Sequence, residues 1–247
     1  MNIFNFLSDI IFQVLVYFYH LLGSNLGLAI IAVTLLIKII LIPLVLPSLK
    51  SAKKMQELKP HLDKLKAKHT DKAKLQQAQL DLYKEHGVNP AAGCLPQVAQ
   101  IVVLIALYQV FMKFLSSPNI NGQPVNLSFL YLNLAQPDPF YILPILAGVS
   151  QLVFSLMMTS GLETHHQKNL TSKDKEKEED SFEMAQSMQS QMLYMMPLMT
   201  TIISLKFHSG LILYWVISTL FSIAQQYYFS GLGGLKPVLV KIKLIKE

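Results

Sequence analysis

Five long apolar runs, separated by polar and charged segments, constrain this chain more than any other feature of its sequence. They extend over about residues 26–46, 95–115, 140–159, 192–205 and 211–229. A helix needs about 20 predominantly apolar residues to cross the hydrocarbon core of a bilayer. Only 15% of the residues are charged, whereas soluble domains carry about 25%. The sequence therefore predicts an all-α membrane protein with five transmembrane helices, the fourth of which is short.

Residues 3–22 form a further apolar segment that carries a polar stripe. Asn5, Asp9, Gln13 and Tyr17 recur at every fourth residue, which places them on one face of a helix. Such a striped helix favours a position in the membrane interface over a spanning one. A sixth span is the alternative, and it would leave the orientation of the five later spans unchanged.

The distribution of lysine predicts the orientation of the spans. All 21 basic residues are lysines and the formal net charge is +6, a balance that also occurs in nucleic-acid-binding proteins. Here the lysines concentrate in residues 48–87, in residues 160–190 and in the C-terminal tail, whereas residues 116–139 contain none. Basic loops remain cytoplasmic. The expected arrangement has the N-terminus outside and the C-terminus inside, and no DNA partner.

This reading divides the chain into ten segments. We expect an extracytoplasmic interfacial helix (1–23), TM1 (24–47), a cytoplasmic helical hairpin (48–90), TM2 (91–115), an extracytoplasmic loop (116–138), TM3 (139–160), a partly disordered cytoplasmic loop (161–188), TM4 (189–207), TM5 (208–230) and a basic cytoplasmic tail (231–247).

The cytoplasmic hairpin is predicted from two short apolar repeats. Met55, Leu58, Leu62 and Leu65 form one, and Leu75, Ala78 and Leu82 form the other after a turn at residues 69–71. Spacings of three and four residues indicate a pair of antiparallel helices. Its lysines suit anionic lipid headgroups or the phosphates of ribosomal RNA, and the partner-binding candidates are Lys53, Lys54, Lys64 and Lys68. A solvated helix pair without any partner is the alternative.

Lys38 is the one charged residue of the first span. A lysine at mid-bilayer costs about 2.5–3.5 kcal/mol, so its side chain should face polar protein or water. The spans offer polar residues as neighbours, among them Ser222 in the fifth, and the candidates for a shared hydrophilic groove are Thr34, Gln97, Gln100, Gln151, Ser218 and Gln225. Helix-to-helix hydrogen bonding explains the hydroxyl groups equally well, but it does not explain a lone lysine. A positive, hydrated cavity that attracts acidic groups is the prediction.

A methionine stripe is the second unusual feature of the spans. Met184, Met188, Met192, Met195 and Met199 fall on one helical face, and flexible methionine accommodates varied apolar partners. Ordinary core packing is the alternative. The sequence has no phosphate-binding G-x-x-x-x-G-K-[ST] motif and no nucleophile–base set, so we expect no catalytic residues, metal or cofactor.

Four stretches of the sequence resemble the Oxa1/YidC/Alb3 family of membrane protein insertases. They are residues 36–44 (LIKIILIPL), 83–90 (YKEHGVNP) with 93–96 (GCLP), 138–146 (DPFYILPIL) and 209–215 (SGLILYW). The resemblance is to the bacterial core without the large extracytoplasmic domain. It implies five spans around a groove closed to the outside, an interfacial first helix and a location in the bacterial inner membrane. The family typically places arginine where this chain has Lys38.

The resemblance also implies a function. Nascent membrane proteins would be the substrates, the hairpin would contact the ribosome or the Sec translocon, and the hydrophobic substrate contacts would include Met192, Met195, Met199, Tyr214 and Trp215. We therefore expect an insertase without covalent chemistry, in which Lys38 attracts the polar tail of an entering segment. A mid-membrane anion transporter and a chaperone that assembles helices without inserting them are the alternatives.

Overall fold

The computed structural model describes residues 3–68, 72–88, 95–116, 119–120, 123–158 and 194–241. The helices are α1 (Ile3–Leu21), α2 (Leu26–Glu57), α3 (Lys59–Lys68), α4 (Lys72–Glu85), α5 (Leu95–Ser116), α6 (Ile142–Met158), α7 (Tyr194–Ser204), α8 (Ser209–Ser230) and α9 (Leu235–Lys241). The strands are β1 (Asn119–Ile120), β2 (Gln123–Pro124), β3 (Ser128–Phe129) and β4 (Leu132–Asn133). The protein is mostly helical, as the sequence predicts.

One helix of the described residues is long and apolar enough to cross a membrane by itself. It covers Leu26–Ser51, with a mean hydropathy of 2.9. The helices Ala99–Phe114, Ile142–Met158 and Tyr194–Ser204 are apolar but shorter. Within the described residues, this helix alone meets both the length and the hydropathy expected of a membrane span.

Helix α2 continues beyond the point where the first span was predicted to leave the membrane. It begins at the Asn25 cap, whose side chain accepts a hydrogen bond from the Leu28 N–H at 3.0 Å, and it passes through Pro43 and Pro47. Its 32 residues extend about 48 Å, longer than a hydrocarbon core of about 30 Å. The last turns carry Lys53 and Lys54, and they remain attached to the bundle, because Gln56 Nε2 donates to the Met157 carbonyl of α6 at 3.2 Å.

Helices α3 and α4 pack against each other as an antiparallel pair after this extension. The break at Leu58, which is buried, splits the first predicted hairpin helix between α2 and α3. Lys64 lies on α3 and Lys68 ends it, both exposed. The predicted turn at residues 69–71 lies outside the described residues.

Two small β-hairpins lie at the opposite end of the bundle, which we call the loop end. Strand β1 pairs with β2 and β3 with β4, both antiparallel. The all-α prediction therefore needs a small correction. The chain after β4 is joined to the start of α8, because Ser209 N–H donates to the Gln136 carbonyl at 2.8 Å and Gly210 N–H to the Leu134 carbonyl at 3.1 Å.

Helix α1 packs against α2 and α5 through one face. Ser8, Ile11, Leu15 and Tyr19 are buried, whereas the predicted polar stripe of Asn5, Asp9, Gln13 and Tyr17 is exposed. Asp9 forms an ion pair with Lys113 near the end of α5, and the Tyr19 hydroxyl accepts a hydrogen bond from the Asn126 N–H at 3.0 Å. Both halves of α1 are thus attached to the loop end.

The apolar core fills the half of the bundle nearest the loop end. Its buried members include residues of the first turns of α2, of α5 from Val103 onward and of the first turns of α8: Leu26, Ala29, Ile30, Val33, Val103, Ala106, Leu107, Val110, Phe111, Phe114, Leu211, Ile212 and Leu213. The next turn of each helix, away from the loop end, carries the polar residues of the candidate site.

The methionine-bearing segment 161–188 lies outside the described residues, and the predicted basic tail includes helix α9.

Candidate functional site

The ammonium of Lys38 makes two hydrogen bonds to neutral side chains. Its Nζ donates to Gln100 Oε1 at 3.0 Å and to Ser222 Oγ at 2.9 Å. These bonds join α2 to α5 and α8 directly beneath the apolar core. Among the described residues, the hydrogen-bond partners of the ammonium include no carboxylate, so it is solvated by the dipoles of neutral side chains.

Gln100 connects three helices through one amide group. Its Oε1 accepts from Ser218 Oγ at 2.9 Å as well as from Lys38, and its Nε2 donates to the Tyr214 hydroxyl at 2.8 Å. Because the amide supplies both a donor and an acceptor, it orients the polar groups of α5 and α8 around the ammonium. The sequence identified Gln100 and Ser218 as groove residues, and the structure brings both to Lys38.

Helix α8 presents its polar groups on one face. Tyr214, Ser218 and Ser222 follow at intervals of four residues, the spacing that aligns side chains along a helix. Ser222 Oγ also donates to the Ser218 carbonyl at 3.0 Å, which leaves its lone pairs to Lys38. The sequence offers Ser222 as a further polar neighbour of Lys38 in the fifth span, and the structure places its hydroxyl on the ammonium.

A small cavity opens beside the ammonium. It has a volume of about 40 Å³ and is lined by Lys38, Gln100, Gln151, Phe154, Trp215, Thr219 and Ser222. A cavity holds a water molecule once its volume reaches about 10–15 Å³. The expected hydrophilic groove is thus, in this structure, a polar pocket of water-molecule size between α2, α5, α6 and α8.

The remaining predicted groove residues lie at different distances from this pocket. Thr34 is buried, and its hydroxyl donates to the Ile30 carbonyl of its own helix at 2.6 Å. The amide nitrogen of Gln225 is buried without a hydrogen-bond partner among the described residues, as are both amide atoms of Gln226. The side chain of Gln97 lies outside the described part of the chain.

The predicted hydrophobic substrate contacts fall into two groups. Met195 and Met199 are exposed on α7, and Trp215 lines the cavity. Tyr214 is instead buried, with its hydroxyl on Gln100, so it braces the site from within. Met192 lies outside the described residues. No group of three or more metal-ligating side chains occurs in the described part.

Comparisons with known proteins identify the family to which this arrangement belongs. The family model described as 60Kd inner membrane protein matches residues 17–233, which is most of the chain. The chain belongs to the YidC/Oxa1 family of membrane insertases. This family is non-catalytic, and its members are inner membrane proteins.

Individual YidC relatives match over nearly the whole chain. "Membrane protein insertase YidC 2" of Bacillus anthracis is 35% identical over 89% of this chain and 77% of its own length. "Membrane protein insertase MisCA" of Bacillus subtilis is 37% identical, with 89% and 76% covered. "Membrane protein insertase YidC" of Fusobacterium nucleatum is 40% identical, with 85% and 89% covered. These short relatives lack the large periplasmic domain.

The fold agrees with a solved YidC structure. A crystal structure of an active YidC insertase, with its first transmembrane domain resolved, superposes with a TM-score of 0.61 at 26% sequence identity. The match covers 90% of this chain and 46% of that chain. This chain thus spans about half the length of the solved protein.

Proposed function

We propose that this chain inserts hydrophobic segments of nascent membrane proteins into the bilayer, with Lys38 as the residue that captures the polar tail of the substrate. The observation that carries the proposal is an ammonium held by two neutral groups, Gln100 and Ser222, beside a polar cavity. Because the described residues place no carboxylate beside the Lys38 ammonium, its positive charge can attract an acidic group of a substrate. Family membership supports the same function.

The position of the site suits transfer of a tail part-way through the membrane. The apolar core occupies the loop end of the bundle, and we propose that a substrate approaches the polar site from the other end or from the lipid side. In a medium of low dielectric constant, an ammonium attracts a carboxylate far more strongly than in water. The apolar segment that follows the tail then leaves for lipid, and each buried CH₂ group contributes about 0.8 kcal/mol.

A cavity of about 40 Å³ is too small to hold a peptide tail. Substrate entry therefore requires water to leave and the lining helices to part. Helix α8 packs extensively along both α2 and α6, which makes it the fixed wall of the pocket. We propose that α2 and α6 separate to admit the tail, while α8 keeps Ser218 and Ser222 beside Lys38.

The proposed topology has five spans, formed by α2, α5, α6, α7 and α8, with the N-terminus outside and the C-terminus in the cytoplasm. The lysine-poor loop end then faces outward, and the lysine-rich α3–α4 pair faces inward. Helix α1 would lie in the outer interface. Its attachment to Lys113 and Asn126, both at the loop end, supports that position.

The cytoplasmic face offers a surface for partners. Lys53, Lys54, Lys64 and Lys68 are all exposed on the extension of α2 and on α3. We propose that this surface contacts anionic lipid, the ribosome or the Sec translocon. Anionic lipid and ribosomal RNA present negative charge, so binding to either should weaken as the salt concentration rises.

The decisive experiment inserts a single-span protein with an acidic N-terminal tail into liposomes that contain this chain. Lys38→Ala should reduce the amount of protease-protected tail about tenfold, and Lys38→Arg should retain most of it. Lys50→Ala removes an exposed lysine from the same helix and should insert like the wild type.

Three outcomes would contradict the proposal. Equal insertion by Lys38→Ala and the wild type would exclude capture by the ammonium. Uptake of a small organic acid by protein-containing vesicles, abolished by Lys38→Ala, would favour the transporter instead. If Lys38→Ala inserts substrates normally but fails to assemble a multi-span substrate, the protein acts as an assembly chaperone and not as an insertase.

A further inference from the structure

An exposed apolar residue occupies a strained turn at the tip of the second β-hairpin. Leu130 and Tyr131 form the two-residue loop between β3 and β4, and Leu130 has a φ of 53°. A positive φ at the first loop position is the pattern of a type II′ turn, which favours glycine. Leu130 is nevertheless 84% exposed. The turn thus presents a large apolar side chain at a position where that side chain adds strain and gains no packing.

Leu130 belongs to a larger exposed patch, which we call the tip patch and define as Leu130, Tyr131, Phe140 and Tyr141. All four side chains are exposed, and the rings of Tyr131 and Phe140 lie 5.5 Å apart between centroids. Tyr141 also has a positive φ, of 59°. Contiguous exposed apolar surface of this kind marks an interaction site.

Asp138 fixes the tip patch to the start of α6. Its buried carboxylate accepts hydrogen bonds from the Tyr131 hydroxyl at 3.1 Å, from the Phe140 N–H at 3.0 Å and from the Leu143 N–H at 2.7 Å. Partial desolvation, followed by the hydrogen bond to Asp138 and its charge, raises the pKa of the Tyr131 phenol. The hairpin tip and the first turn of α6 therefore form one unit, whose rings are uncharged at neutral pH.

The apolar surface continues from the tip patch along α6. Ile142, Ile145, Leu146 and Val149 are exposed on that helix. The 17 residues of α6 extend about 26 Å, slightly less than a hydrocarbon core of about 30 Å. Residues just before α6 therefore lie at the level of the membrane interface, where aromatic side chains concentrate.

We infer that the tip patch is a lipid-binding surface, which inserts Leu130 and its neighbouring rings into the outer leaflet of the bilayer. The apolar environment explains why the turn carries leucine, and the polar pair of Ser128 and Asn133, exposed on the same hairpin, would remain in water. The inference rests on the proposed topology, because it requires α6 to cross the membrane with its start outside.

Spin labelling tests the inference directly, because the chain has one cysteine, Cys94. In a Cys94→Ser background, a nitroxide is attached to Leu130→Cys and the protein is reconstituted into phosphatidylglycerol–phosphatidylethanolamine vesicles. Collision rates are then measured with oxygen, which concentrates in lipid, and with a water-soluble nickel chelate present on both sides. Ser128→Cys is the matched control on the same hairpin, and Ile145→Cys is the control on α6.

We expect oxygen to outcompete the nickel chelate at Leu130→Cys and Ile145→Cys, and the reverse at Ser128→Cys. A chelate-accessible label at Leu130→Cys, with Ile145→Cys in lipid, would overturn the inference and leave the topology intact. A chelate-accessible label at Ile145→Cys would instead contradict the topology. A label at Leu130→Cys that is shielded from both reagents would also overturn the inference, since it indicates cover by a second copy of the chain.

Discussion

At the residue scale, the structure accommodates a buried charge by means of dipoles. Lys38 has Gln100 and Ser222 as hydrogen-bond partners, and Gln100 is itself held by Ser218 and Tyr214. A carboxylate in place of the amide would form an ion pair with the ammonium, at the desolvation cost of a second buried charge. It would also cancel the positive field. The neutral amide leaves that field uncompensated, which the proposed capture of an acidic tail requires.

Gln100→Glu separates these two effects. The substitution keeps the size of the side chain and places a carboxylate 3.0 Å from the ammonium, so an internal ion pair should form. We predict an unchanged or higher unfolding temperature in detergent, together with a loss of insertion of the acidic-tailed substrate of about tenfold. Thermal unfolding and liposome insertion, measured on the same preparation, provide the two readings.

A matched substitution on the same helix controls for a carboxylate placed elsewhere on α5. Gln109 lies on the side of α5 that faces α1, in the cavity shared with Asp9 and Lys113. The control substitution Gln109→Glu should leave insertion within about twofold of the wild type. Wild-type insertion by Gln100→Glu would show that the free charge of Lys38 is dispensable.

The sequence predicted the residues of this site better than their roles. A lysine inside an apolar run requires polar neighbours, so Gln100 and Ser218 could be identified from composition alone. Tyr214 is amphipathic, and its sequence context does not reveal whether the ring meets substrate or the hydroxyl meets Gln100. That choice depends on the rotation of α8 about its axis, which is set by packing against α2 and α6.

At the element scale, Gly148 allows close approach of α6 and α7. A Cβ atom at this position would collide with the Thr201 hydroxyl and come within 3.3 Å of the Pro197 carbonyl. Both partners belong to α7, where Thr201 donates to the Pro197 carbonyl at 3.0 Å. Small residues have this function between membrane helices because lipid provides no hydrophobic drive for helix association.

Gly148→Leu should therefore weaken the packing of α6 against α7. Overpacking costs about 1–3 kcal/mol, which we expect as a lower unfolding temperature in detergent. Val149→Leu, one residue along on the exposed face of α6, is the control and should unfold like the wild type. If both variants unfold at the wild-type temperature, α6 and α7 do not depend on this contact.

The length of a helix is harder to predict from sequence than its existence. The first span is predicted to end at residue 47, whereas helix α2 passes through Pro43 and Pro47 and reaches Glu57. Proline is tolerated in membrane helices because neighbouring helices and local adjustments satisfy the freed backbone groups. The tiny strands at the loop end carry only two residues each, which is too short for any alternating pattern to be recognised.

At the scale of the whole molecule, the contacts of α1 indicate whether this helix crosses the membrane or lies in its interface. A spanning α1 would hold its first half near one membrane face and its second half near the other. Instead Asp9 forms an ion pair with Lys113, three residues before the end of α5 at Ser116, and the Tyr19 hydroxyl accepts a hydrogen bond from the Asn126 N–H, between β2 and β3. Both contacts lie at the loop end, which supports an interfacial α1 that covers the apolar core.

Thiol labelling distinguishes an interfacial α1 from a sixth span. In the Cys94→Ser background, Asn5→Cys and His20→Cys replace exposed residues at the two ends of α1, and Lys64→Cys replaces an exposed lysine of α3. A membrane-impermeant maleimide should label both α1 positions in intact cells, because each end of an interfacial helix faces the outside. Lys64→Cys should react only after the membrane is permeabilised. Labelling of His20→Cys but not of Asn5→Cys in intact cells would show that α1 crosses the bilayer. The protein would then have six spans and not the proposed five.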